Sequence, residues 1–188
     1  MSSSVEPFAV QSGEGTLLET PTGDSVYIKT NTRNTNGSLT VLEFVISPKN
    51  GPALHIHLRE DEVWYVLEGD FRFKAGDALF RASKGGMAFG PRGTPHCFQN
   101  MGDTPGRLLV ITAPSGAERL FEDYNELLPG PVDPKMLAAV ARANWVEFVG
   151  PPLGVTDPPL AGGPNQAALT RVSAGQGLHW LPRVDSNH

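Results

Sequence analysis

Short runs of alternating apolar and polar residues fill the first two thirds of the chain. They read "SVYIKT", "SLTVLEFVIS", "LHIHL", "EVWYVLEG", "DFRFKAG", "DALFRA", "GMAFG", "HCFQN" and "RLLVITA". Period-two alternation over four to eight residues is the mark of a strand with one face buried. The separators, among them "TNTRNTNG", "AGD", "SKGG", "GPRGTP" and "MGDTPG", carry the Gly, Asn, Asp and Pro of tight turns. Strands this short and this closely spaced predict an antiparallel sandwich or barrel. No internal repeat is visible, so one all-β barrel over residues 6–113 is expected.

The period changes after Ala113. "PSGAERLFEDYNELLPG" opens with Ser115 and Glu118 in capping-box spacing, and Leu120, Phe121, Tyr124 and Leu127 follow at helical intervals. "VDPKMLAAVARANWVEFVG" begins with Asp133 as an N-cap and Pro134 at the first helical position. Two α-helices packed on the barrel are therefore expected within residues 114–150. Residues 151–188 form a Pro/Gly-rich stretch with no periodicity that reads as an element.

Composition narrows the functional classes. The 188 residues have a formal net charge of -5, with 15 Lys and Arg scattered along the chain. No basic face invites nucleic acid. Cys97 stands alone, which excludes an internal disulfide. "MSSSVEPFAV" lacks the charged and apolar regions of a secretory signal, and no apolar run approaches the roughly 20 residues that span a bilayer. The expectation is a soluble cytoplasmic protein with a small-molecule ligand.

Two of the five histidines stand one residue apart, in "GPALHIHLREDEVWYVLEG". Residues i and i+2 of a strand share a face, so His55 and His57 look the same way. A buried imidazole needs a partner for each ring nitrogen. Glu62 follows His57 by an odd step. The polar "LRED" reads as a hairpin tip, which would bring Glu62 round onto the histidines' face. His96, directly after "GPRGTP", is a fourth candidate. Three imidazoles and one carboxylate suit a divalent transition ion (Ni, Co, Mn, Fe, Cu or Zn), with coordination positions left for water, substrate or dioxygen. Taken alone, His-x-His is more often a pair of separately satisfied polar residues.

The surrounding spacing adds a resemblance. "HIHLREDEVWYVLEG" resembles the first motif of the cupin superfamily, HxH(x)4E(x)6G, with Gly51 nearer His55 than usual. "GGMAFGPRGTPHCFQN" resembles the second, G(x)5PxG(x)2H(x)3N, through Gly85, Pro91, Gly93, His96 and Asn100. The likeness covers residues 38–113 and implies a cupin barrel, or jelly roll, holding a metal through His55, His57, Glu62 and His96. Gly69 and Gly93 are turn residues in this reading, and Cys97 faces away from the metal.

Strand parity counted from Glu62 and His96 places Trp64, Phe98 and Asn100 inward, with Phe89 from the preceding strand, as an aromatic pocket for a flat apolar substrate. The single barrel followed by "AERLFEDYNEL" and "FVGPPL" resembles the quercetinase-like single-domain bacterial cupins. That resemblance implies dioxygenase cleavage of a flavonol-like or aromatic polyketide-like enol, with Glu62 as both ligand and proton acceptor. The same motifs serve non-oxidative isomerases, cyclases and lyases, and small-molecule binders. The resemblance also implies a homodimer, in keeping with the outward Val63, Tyr65 and Leu67.

Overall fold

The computed structural model of the chain describes residues 5–127 and 133–156. Ten strands come first: β1 (Thr16–Glu19), β2 (Ser25–Thr30), β3 (Thr40–Ile46), β4 (Ala53–His57), β5 (Asp61–Glu68), β6 (Asp70–Ala75), β7 (Ala78–Ser83), β8 (Met87–Gly90), β9 (His96–Asn100) and β10 (Gly106–Ala113). Helices α1 (Glu118–Leu127) and α2 (Pro134–Ala143), strand β11 (Val146–Pro152) and the short α3 (Leu153–Thr156) follow. The strands form two antiparallel sheets, ordered β1-β2-β3-β10-β5-β8 and β11-β4-β9-β6-β7. Together they make a cupin jelly roll with helices after the barrel.

The alternation along each strand decides what fills the space between the sheets. On β10, Leu108, Val110 and Thr112 are buried, while Arg107, Leu109 and Ile111 are less so. On β5, Glu62, Trp64 and Val66 point in. Val63 and Leu67 are half-buried on the other face, and Tyr65 is exposed there. Trp64, Phe71 and Phe73 are fully excluded from solvent and form the large side chains of the core. Burial of each such side chain stabilises the fold by roughly 1.5–3 kcal/mol. Gly69 and Gly93 sit at φ of 94° and 77°, which glycine adopts without steric cost.

Three local expectations are corrected. The link "LRE" after β4 is not the tip of a paired hairpin. It carries the chain from one sheet to the other, so Glu62 faces the histidines across the interior. The segment "NWVEFVG" is not helical. α2 stops at Ala143, Asn144 caps it, Trp145 takes a positive φ of 62°, and the β-branched and aromatic residues beyond form β11 against β4. That strand includes Pro151 and Pro152, the first residues of the stretch read as lacking an element, and residues 157–188 lie outside those described. Finally, Ser115 does not cap α1, because its hydroxyl donates to Thr32 Oγ1.

Glu118 does the anchoring instead. Its carboxylate accepts from Thr32 N (2.8 Å), Thr32 Oγ1 (2.5 Å), Gly116 N (3.0 Å) and the Thr40 hydroxyl, tying the start of α1 to the turn between β2 and β3. Burial would raise its pKa, but the hydrogen bonds from Thr32 and Thr40 outweigh burial and lower it. A carboxyl with a lowered folded pKa contributes stability that is present above its ordinary value and lost as pH falls through the folded one. Glu118→Ala is expected to cost about 2–3 kcal/mol at neutral pH by urea unfolding, because it strands buried donors. The gap from wild type should narrow below about pH 4. A pH-independent gap would contradict this account.

Candidate metal centre

His55 and His57 project from β4, and β9 brings His96 into register opposite His55. Glu62 comes from β5 in the facing sheet. Four residues separated by up to 41 positions thus meet inside the barrel, each 9% exposed or less. One ligand atom from each lies within 4.8 Å of all the others. His96 Nε2 is 3.0 Å and His57 Nε2 3.4 Å from Glu62 Oε2.

The backs of the rings fix what faces inward. His55 Nδ1 lies 2.7 Å from the Ala53 carbonyl, and His96 Nδ1 lies 2.8 Å from the Thr94 carbonyl. A carbonyl only accepts, so both Nδ1 atoms carry hydrogen and each Nε2 presents a lone pair. Among the described residues, His96 Nε2 and Glu62 Oε2 are buried with no well-formed hydrogen bond. Lone pairs turned on one another in a dry interior repel unless a cation lies among them. Nitrogen donors with one hard oxygen fit a divalent transition ion.

The electrostatics agree. Burial drives the His55 pKa down to about 3, with His96 and His57 adding to the shift, so its ring stays neutral and free to ligate. Burial alone would raise Glu62. Its interactions with His57, His96 and His55, attractive when those rings are protonated, outweigh burial and hold it down at about 2, as a carboxylate. His57 behaves differently: burial lowers its pKa, but Glu60 and Glu62 more than reverse that and raise it.

Glu62, His55 and His57 open onto a cavity of about 290 Å³. Its walls are apolar. Leu42, Phe44 and Val110 come from one sheet and Phe98 from the other, while Leu120, Phe121 and Tyr124 of α1 close it with Leu137 of α2 and Phe148 of β11. Phe121 packs edge-on to Phe44 at 5.3 Å, which seats the helix on the barrel.

The four residues expected to line the pocket take different places. Phe98 lines the cavity. Trp64 points inward but packs behind His96 and against Phe73, at 5.2 and 5.6 Å, and forms core instead of pocket wall. Phe89 is corrected: β8 pairs it with Val63, so Ala88 and Gly90 face in and Phe89 lies half-exposed outside. Asn100 is also corrected. It is fully buried and bonds Ile46 O, Ser47 O, Thr104 O and Gly102 N, pinning loops together at the strand end. Sequence reasoning missed Leu120, Phe121, Tyr124 and Phe148 as pocket residues. Their helical and strand periodicity signals a buried face but not which space that face closes.

Comparison with known proteins places these features. Residues 42–112 match the family described as "Cupin domain". An uncharacterized protein of Methanocaldococcus jannaschii, MJ1618, is 29% identical over 72 residues, which are 38% of this chain and 58% of that one. The chain thus spans little more than half the length of that relative. In three dimensions the chain is similar to KdgF from Halomonas sp., with a TM-score of 0.54 and 18% identity, covering 61% of this chain and 99% of the other. It is also similar to an RmlC-like cupin from Shewanella frigidimarina, with a TM-score of 0.51 and 18% identity, covering 62% and 99%. Likeness at this identity concerns the fold alone.

Proposed function

We propose that this chain, whose residues 42–112 match the cupin domain, is a metal-dependent dioxygenase acting on a flavonol-like or aromatic polyketide-like enol. One observation carries the reading: a three-histidine, one-carboxylate cluster set at the wall of an apolar cavity. A divalent transition metal held by His55, His57, Glu62 and His96 supplies Lewis acidity toward an enolic oxygen and, when redox-active, reactivity with dioxygen.

The chain's own residues do the rest. A cavity of about 290 Å³ admits a compact organic molecule, and its aromatic and aliphatic walls favour a flat, apolar one while excluding water. Phe98, Phe121 and Phe148 orient such a ring system. Glu62 Oε2 has no well-formed hydrogen bond and accepts the enol proton. Thr112 stands opposite Glu62 in the β5–β10 pairing, lines the same cavity, and has a buried hydroxyl with no partner among the described residues. It is placed to bond a second substrate oxygen near the enol, such as the neighbouring ketone of a flavonol.

The test is dioxygen uptake with a panel of flavonols and aromatic polyketides. Uptake matched to substrate loss, with carbon monoxide released from the flavonols, is expected. Turnover that proceeds unchanged under argon would overturn the oxygenase reading in favour of a cupin isomerase, cyclase or lyase using the same cavity.

A further inference from the structure

We propose that Glu60 is a positioning residue of the metal centre, its carboxylate accepting the Nδ1 hydrogen of His57 so that Nε2 is held toward the ion. This rests on the metal reading above. His55 and His96 are each oriented by the carbonyl two residues before them. His57 has no such contact. Its Nδ1 is buried without a formed hydrogen bond, and the nearest complement is Glu60 Oε2 at 3.6 Å, itself buried and without one. Two polar atoms stranded together at that depth are costly apart and satisfied as a pair. The gap exceeds the roughly 2.7–3.2 Å of a formed bond and closes with a small rotation of the Glu60 side chain.

Glu60 is only 2% exposed, although it lies in the polar stretch "LRED". The turn before α1 closes over it. A Cβ on Gly116, at φ 142°, would stand 3.2 Å from Glu60 Oε1, so the glycine lets the backbone come close to the carboxylate. Charge gives the arrangement a purpose. Three neutral imidazoles and Glu62 leave a buried dication with surplus positive charge, and Glu60 supplies the second negative charge through His57. Of the three ligand histidines, His57 alone is backed by a group that carries charge.

The full-length protein is tested as wild type, Glu60→Gln and Glu60→Leu. Zn2+ affinity is read by competition with a chromophoric chelator, and the His57 Nδ1–H signal by 15N–1H spectroscopy with and without Zn2+. Glu60→Leu is expected to weaken Zn2+ binding by about 10–100-fold and to expose the Nδ1 hydrogen to exchange. Glu60→Gln keeps an acceptor but no charge, and should fall between the two. It also serves as the deciding variant if Glu60→Leu does not fold. A merely structural Glu60 would lower the melting temperature of the metal-free protein and leave both readouts of the folded protein unchanged. That result would overturn the proposal. Wild type that takes up no Zn2+ would sink the metal reading itself, and the Nδ1–H signal of the metal-free protein would then still decide whether Glu60 holds the ring.

Discussion

Glu62→Gln is expected to keep at least part of its bound metal and to lose at least ~10²-fold in turnover, the usual scale for removing a positioned base. The amide retains the size of the side chain and one oxygen able to ligate, so the site should still assemble. What disappears is the basic oxygen. In the wild type that oxygen is Oε2, buried 3.0 Å from His96 and 3.4 Å from His57, in a carboxylate whose pKa is held down at about 2. So weak a base suffices only when the substrate hydroxyl has itself become acidic, as an enol beside a dication does. Steady-state kinetics beside metal analysis separates the two roles. Full turnover with full metal would make Glu62 a ligand only, and the proton acceptor would have to lie elsewhere.

What could be read from the chain before folding, and what could not, follows from how local each signal is. The clustering of His55, His57, Glu62 and His96 was legible because a strand fixes the direction of His55 relative to His57 and because the motif spacing is local in sequence. The path of the chain between His57 and Glu62 was not. A polar stretch looks alike whether it turns a hairpin or crosses between sheets, and here it crosses. Nor does that stretch reveal the burial of Glu60, over which the turn before α1, more than fifty residues away, closes.

Phe89 was placed in the pocket by nearness in sequence alone, and its pairing with the outward Val63 on β5 turns it outside. Parity succeeded in direction for Trp64, yet direction does not say whether an inward residue meets the cavity or the core behind it. The start of α2 is marked by Asp133 and Pro134, but its end is not. "VEFV" carries a strand's composition, and the helix ends at Asn144 and Trp145, where β4 offers an edge to pair with.

His96→Ala carries the other large effect. It should purify with less than about a tenth of the wild-type metal, because losing one of four ligands leaves an incomplete donor set in a site that excludes water. His96 is fully buried, and its removal leaves a void beside Trp64 and the rings of His55 and His57. Void formation also lowers stability, so circular dichroism must first show that the variant is folded. His57→Ala should behave likewise. Elemental analysis of protein purified without chelators is the readout, and metal content equal to wild type in either folded variant would place the ion elsewhere.

The most direct measurement is crystallographic: an anomalous difference map collected across the absorption edge of the bound metal. The expected result is a single strong peak per chain, enclosed by His55, His57, Glu62 and His96. A peak at another position, or none in crystals of protein shown by elemental analysis to carry about one ion per chain, would contradict the assignment of this cluster as the metal centre.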